Sequence, residues 1–131
     1  MLRGTLSLSL ALLSLLSCSS AQQEQSLKLP SGRVIKVLGV GRIDFPQGPP
    51  ALMLKYETDL KTSDAVALRK EADEIWSVFK ADVEKGSFKA AVLSANEKPT
   101  GNFLQKSNGY NFVYQRAADG RWHCLDDDKG K

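Results

Sequence analysis

The adjacent residues His123 and Cys124 are the pair in this sequence whose types most readily suggest catalysis or metal binding. A thiol beside an imidazole can act as a nucleophile with its base, and both side chains are metal ligands. Neighbouring residues of a strand, however, point to opposite faces of a sheet, so these two cannot converge on one atom. The sequence contains no second histidine to complete a zinc site. We expect an exposed histidine and a buried cysteine, with no metal and no cofactor.

Acidic residues form two further groups. Glu57 and Asp59 lie near the end of a predicted strand, where paired carboxylates could perform acid–base chemistry. Residues 126–128 are three consecutive aspartates that resemble the start of a calcium-binding loop, but the bidentate glutamate of such a loop does not follow. We expect a solvated tail there. An enzyme that uses Glu57, Asp59 or His123 is the alternative to a binding function.

A long amphipathic helix is the clearest element that could position these residues. Residues 63–85 carry one apolar stripe at helical spacing, with charged residues on the opposite side. Thr62 or Ser63 is expected to cap the first turn, and Gly86 is expected to end the helix. The stripe consists of Ala65, Leu68, Ala72, Ile75, Trp76, Phe79 and Val83.

Strand patterns precede and follow this helix. Strands are predicted before and after the turn Pro30–Gly32, over residues 51–58 and 88–95, and in hairpins around Ser107–Gly109 and Ala118–Gly120. In the last hairpin, a three-residue turn pairs Tyr114 with Cys124 and gathers the aromatic side chains on one face, whereas a two-residue turn divides them. The pattern favours the three-residue turn.

Gly39 and Gly41 interrupt the longest strand pattern. They lack the third glycine and the following helix of a phosphate-binding loop. We expect them either to mark a bulge or to admit a bulky neighbour on the inner face, and Trp76 is the candidate for that neighbour. The strand is otherwise expected to alternate regularly, with Ile35 and Val37 facing the helix.

Together these patterns predict a single α+β domain. An antiparallel sheet of five to seven strands packs by one face on the single long helix, in the order β-β-β-α-β-β-β. The 131 residues are 42% hydrophobic and 25% charged, as is typical of one globular domain. Because basic residues are interspersed with acids and the net charge is only +3, no nucleic-acid partner is indicated.

The first residues have the three parts of a secretory signal. Arg3 is followed by an apolar run over Leu6–Leu16 and then by small residues. This run is too short to span a bilayer, which needs roughly 20 residues. Two processing sites fit the pattern: cleavage before Cys18, which gives a signal over 1–17, or cleavage after Ala21, which gives a signal over 1–21. We expect a polar tether over 18–26 and the domain over 27–131.

Leu15-Leu16-Ser17-Cys18 resembles the lipobox of bacterial lipoproteins. The resemblance implies that Cys18 carries a diacylglycerol and becomes the new amino terminus, so that the protein is attached to a membrane of the cell envelope or periplasm. The chain as a whole resembles the small lipoproteins of bacterial envelopes. Cys124 then has no partner for an intramolecular disulfide.

The sheet face away from the helix is the candidate partner surface. It is expected to carry more apolar side chains than a solvent face usually shows, which favours a protein partner, a homodimer or an envelope polymer. The function expected from the sequence is a non-enzymatic, membrane-tethered binding module, and the alternative is a small envelope hydrolase or other enzyme. The surface residues are Val34, Leu38, Val40, Met53 and Val113.

Overall fold

The computed structural model describes residues 25–101 and 108–128 of the chain. Residues 102–107, which contain the first strand of the hairpin predicted around Ser107–Gly109, and the signal and tether up to residue 24 lie outside the described residues. A short 3-10 helix at Leu125–Asp128 ends the described part. The main elements are β1 (Gln25–Lys28), β2 (Val34–Ile43), β3 (Ala51–Thr58), α1 (Ala65–Lys85), β4 (Ala90–Glu97), β5 (Gly109–Arg116) and β6 (Trp122–Cys124).

The six strands form one sheet in which their spatial order follows the chain, from β1 to β6. Neighbouring strands are antiparallel except β3 and β4, which run parallel because α1 carries the chain back across the sheet between them. The α+β class, the strand number and the single helix are confirmed. The sheet is mixed, however, and the first two residues of β1 belong to the segment predicted as tether.

Helix α1 buries the predicted stripe against one face of the sheet. Leu68, Ala72, Ile75, Phe79 and Val83 are all buried in a core that the inner faces of the strands share. The helix ends at Gly86 as predicted. Its N-cap is one residue later than expected, because Asp64 Oδ1 accepts a hydrogen bond of 3.3 Å from Ala67 N and satisfies one of the free amides of the first turn.

The last hairpin has the predicted register. Tyr114 lies opposite Cys124, and Arg116 lies opposite Trp122. Gly120 has a positive φ of 89°, as the left-handed position of a three-residue turn requires. The aromatic side chains of β5 and β6 are therefore gathered on the face that packs against α1.

Trp76 packs over β5 and β6, near the other edge of the sheet from β2, where it was predicted to lie. Its ring stacks on Tyr114, with centroids 4.5 Å apart and planes 10° apart, and meets Trp122 edge-on at 5.0 Å. The prediction that it fills the space over Gly39 and Gly41 is wrong. A Cβ atom added at either glycine would meet nothing within 4 Å. Two aromatic rings on β5 and β6 offer Trp76 more contact area than glycines on β2 do.

A β-bulge in β2 changes the faces that its residues present. Val37 lies opposite Tyr56, whereas Gly39 lies opposite Lys55, so Leu38 is the extra residue. A bulge, one of the two predictions made for the glycines, is present directly before Gly39, but Gly39 and Gly41 lie opposite Lys55 and Met53 on the outer face and not on the predicted inner face. The regular alternation expected beyond the bulge is wrong, because the extra residue moves every later side chain of β2 to the other face.

Candidate functional surfaces

His123 and Cys124 lie on opposite faces of β6, as expected. Cys124 is buried in the core under α1, and burial raises the pKa of its thiol. His123 is exposed on the outer sheet face, the face away from α1, where it lies opposite Gln115. The two side chains cannot act on one substrate atom.

The three candidate catalytic residues do not converge. Glu57 is on the outer face between Lys36 and Asn96, and Asp59 Oδ1 accepts a salt bridge of 2.9 Å from Lys98 Nζ. Glu57 lies opposite Asn96 of β4, whereas His123 lies in the cross-strand row of Ala90. Asn96 and Ala90 are six residues apart along β4, which corresponds to about 20 Å. Glu57 and His123 therefore belong to different parts of the outer face.

The acidic residues after β6 are more ordered than the expected solvated tail. Leu125–Asp128 form the 3-10 helix, and Asp127 accepts a hydrogen bond of 2.7 Å from Arg69 Nη1. Tyr110 Oη donates a hydrogen bond of 2.7 Å to Asp126. These contacts hold two of the three carboxylates against α1 and β5. Across residues 25–101 and 108–128, no three histidine, cysteine or acidic side chains are grouped as a metal site requires.

A buried polar cluster lies between α1 and the strands, and sequence reasoning missed it. The carboxylate of Glu71 accepts hydrogen bonds from Thr58 Oγ1 at 2.6 Å and from Arg33 Nη2 at 2.7 Å. The nearby Tyr56 hydroxyl is buried without a hydrogen-bond partner, and burial, together with the charge of Glu71, raises its pKa. Position 71 is three residues after Leu68 and lies beside the apolar stripe, but the charge of a glutamate argued for exposure.

The outer sheet face carries a compact apolar centre. Ala51, Ala90 and Val92 are buried there among their neighbours, and Met53 and Val113 pack against them. Met53, Val92 and Val113 form one cross-strand row over β3, β4 and β5. Helix α1 packs on the opposite face, and Met53 and Val113 are the partly exposed members of this centre.

The five residues predicted for a partner surface do not all lie on the outer face. Val34 is on the outer face, and Leu38 is the bulge residue that, with Gly39, opposes Lys55 of that face. Met53 and Val113 belong to the apolar centre. The placement of Val40 on the outer face is wrong. Val40 lies opposite the core residue Leu54 and therefore faces the helix side.

Val40 lines a groove between β2 and the carboxyl-terminal half of α1. The groove has a volume of about 470 Å³, and Val37, Leu54 and Phe79 contribute to its apolar walls. Residues 25–27 of β1 also line the groove, and Asp82 of α1 is the acidic residue among its lining side chains. Val40 remains 52% exposed because β1 pairs only with Val34–Val37 and leaves the rest of that edge of β2 open.

A second concave site lies at the amino-terminal end of α1. It has a volume of about 360 Å³ and is bounded by Val66 and Leu68 on the helix and by Tyr110 and Phe112 on β5. Arg69 and Asp126, which also line it, are engaged with Asp127 and Tyr110. The charged groups of Arg69 and Asp126 are therefore already engaged by other side chains of the protein.

Comparisons with protein-family models, with curated proteins and with solved structures found no match to this chain. Among the described residues, no helix combines the length and the apolar character that crossing a membrane requires. Cys18, the predicted lipidation site, lies outside the described residues.

Proposed function

We propose that the protein is a non-enzymatic binding module, exported and attached to an envelope membrane through a lipid on Cys18. The observation that carries the binding role is the apolar row of Met53, Val92 and Val113 on the sheet face opposite α1, in which Met53 and Val113 are partly exposed around the buried Val92. Helix α1 covers only the other face. A sheet face with an apolar centre and a polar surround is typical of a surface that binds a partner.

The composition of the outer face favours a protein partner over a carbohydrate polymer. Sugar rings commonly stack on exposed aromatic rings. The aromatic side chains of the described strands instead lie on the helix side, where they form the core with α1. These residues are Tyr56, Tyr110, Phe112, Tyr114 and Trp122.

Charges around the apolar centre supply the polar rim that a protein interface needs. Lys55 is next to Met53 along the same face of β3, and Lys36 and Glu57 lie opposite one another in the ladder of β2 and β3. Beyond Val113, Gln115 and His123 form a polar pair at the other border. An apolar centre within a polar rim is the usual anatomy of a protein–protein interface.

The binding role is tested by site-specific photo-cross-linking in the bacterial envelope. A photoreactive side chain at position 53 or 113 is expected to capture one defined protein, and the same group at Ser77 on the exposed side of α1 is not. Met53→Lys should abolish the cross-link formed from position 113. Equal cross-linking from positions 113 and 77, or cross-linking that survives Met53→Lys, would overturn the proposed surface.

The anchor is tested separately by labelling cells with a radioactive fatty acid. The wild-type chain is expected to incorporate the label, and Cys18→Ala is expected to abolish incorporation. Unlabelled wild-type protein with an amino terminus at Gln22 would show cleavage after Ala21 and exclude the lipid anchor.

A further inference from the structure

We infer that two copies of this chain associate through the open half of β2, which gives one continuous twelve-stranded sheet. In each copy, the edge of residues 38–43 has no neighbouring strand among the described residues, because β1 begins opposite Val37. Six residues of strand present about 20 Å of unpaired backbone. A long open edge of this kind is a template for another strand.

Apolar exposure is concentrated on the same strand. Of the five large hydrophobic residues that are exposed in the described part of the chain, four lie on β2 or directly after it. Proteins usually protect such an edge with charge, proline, a β-bulge or a covering element. Here the bulge lies at one end of the open half, and Arg42 is the one charged residue of 38–43. The exposed residues at or near the open half are Leu38, Val40 and Phe45.

The positions already occupied by β1 restrict the register between the two copies. A two-fold axis at Val40 would bring Ile43 of the second copy opposite Val37, where Gln25 already pairs. Moving the axis to Gly41 removes this conflict, because Ile43 then lies opposite Gly39 of the other copy. The Cβ position of Gly39 is open, so the isoleucine side chain has room there.

The same register makes the interface complementary in charge. Residues directly opposite one another in a ladder project to one face, so Arg42 of one copy lies beside Val40 of the other on the helix side. Val40 shares its groove with Asp82. Arg42 Nε donates a hydrogen bond of 2.9 Å to Asp44 Oδ1 of its own chain, so the two Nη groups are the ones that can extend over Val40 towards the Asp82 carboxylate of the other copy. The two-fold axis forms this contact twice.

The chain that precedes β1 is a poorer occupant for this groove. Continuing β1 upstream from Gln25 would bring Gln23 and Ala21 to the helix side, because alternate residues share a face. A glutamine and an alanine offer little apolar surface to Val40 and Phe79. Arg42 of the second copy instead offers its aliphatic portion to Val40 and its positive charge to Asp82.

The test is the oligomeric state of the purified full-length chain in detergent, measured by sedimentation equilibrium. The wild type is expected to be a dimer that dissociates on dilution. Val40→Lys, Arg42→Glu and Asp82→Lys should each shift the average mass to that of the monomer. Combining Arg42→Glu with Asp82→Lys should restore the dimer, because the charges across the interface are again opposite.

Matched controls separate this edge from the rest of the surface. Val34→Lys changes an exposed valine on the half of β2 that β1 already pairs, and Arg121→Glu reverses an exposed arginine at the other side of the sheet. Both variants should remain dimeric. Because the changed side chains are exposed, circular dichroism should show every variant folded.

Several results would overturn the inference. One is a wild type that remains a monomer at all accessible concentrations. Hydrogen exchange at residues 38–43 of such a monomer would then distinguish an edge covered by the chain's own upstream residues, which is protected, from an edge open to a different protein. A Val40→Lys variant that stays dimeric, or a double charge reversal that stays monomeric, would also overturn it.

Discussion

Glu71 accepts a hydrogen bond of 2.7 Å from Arg33 Nη2 although no part of the glutamate side chain is exposed. The pair connects α1 to the start of β2. Ser31 N strengthens this connection by donating a hydrogen bond of 2.8 Å to Glu74 one helical turn later. The turn between β1 and β2 is thus fixed to the helix by two carboxylates.

Replacing Glu71 should destabilise the fold more than replacing an exposed helix residue. Glu71→Ala leaves the buried hydroxyl of Thr58 without its acceptor, whereas Arg33 is 43% exposed and can be hydrated. We expect the free energy of unfolding to fall by about 2–3 kcal/mol for alanine and by about 1 kcal/mol for glutamine, which can still accept from Thr58. Urea denaturation followed by tryptophan fluorescence measures both values. The exposed neighbour Lys70→Ala is the control, and an equal effect there would contradict a stabilising role for the buried pair.

Deleting Leu38 should be tolerated. Leu38 is the extra residue of the bulge, so its removal leaves Val37 and Val40 on the helix side and converts the β2–β3 pairing to a regular ladder. We expect a cooperative unfolding transition within about 1 kcal/mol of the wild type. Deleting Met53 from the regular strand β3 is the control. This deletion moves the side chains of β3 on one side of it to the opposite face of the sheet and should abolish cooperative unfolding. Equal damage from the two deletions would exclude the bulge.

Acid should weaken the contact between β4 and the segment before α1. The Glu97 carboxylate accepts hydrogen bonds of 2.7 Å from both the backbone N and the Oγ1 of Thr62, and these bonds lower its pKa below 4.5. A lowered pKa in the folded state stabilises the protein above pH 4.5, and this contribution is lost as the pH falls through the folded-state pKa. The stability difference between the wild type and Glu97→Gln should therefore be largest at neutral pH and shrink in acid.

Thermal unfolding of the two proteins across the acid range measures this difference. Thr62→Val, which removes the hydroxyl donor and keeps the backbone donor, should give an intermediate pH dependence. A difference between the wild type and Glu97→Gln that stays constant from neutral pH to strong acid would contradict the assignment.

Cys124 should react slowly with thiol reagents in the folded protein. Its side chain is buried, and burial raises the thiol pKa, so less of the reactive thiolate forms at neutral pH. In a Cys18→Ser background, we expect Cys124 to be alkylated roughly 100-fold more slowly than in the unfolded chain. This factor corresponds to a local opening of the structure around Cys124 that costs about 3 kcal/mol. A cysteine at the exposed position Ala118, with Cys124→Ala, should react at the unfolded rate. Mass spectrometry measures both rates, and equal rates would contradict burial.

Sequence reasoning found the elements whose patterns are local and continuous. The helical stripe from Leu68 to Val83 and the positive-φ glycine of the last hairpin each contain their own signal. The packing of Trp76 was missed because its choice between glycines on β2 and aromatic rings on β5 and β6 depends on how α1 lies across the sheet. The parallel pairing of β3 and β4 likewise depends on the path of α1.

The candidate surfaces were harder to predict than the fold. One extra residue at Leu38 moves Val40 from the outer face to the helix side. The glycines indicated a bulge but did not indicate which residue of β2 would be the extra one. Glu71 was missed for a different reason, since a charged residue on an apolar stripe is expected at the surface unless its partners are known. Arg33 and Thr58 are distant in sequence and become its partners only in the folded chain.

The agreement between strand order and chain order has a consequence for folding kinetics. Every ladder among the described strands joins strands that are consecutive in sequence, so each half of the sheet, β1–β3 and β4–β6, forms largely from local pairings. Of these ladders, only the parallel β3–β4 pairing must close a loop as long as the whole of α1. Because closing long loops slows folding, docking of the two halves along this single seam is the step expected to set the folding rate.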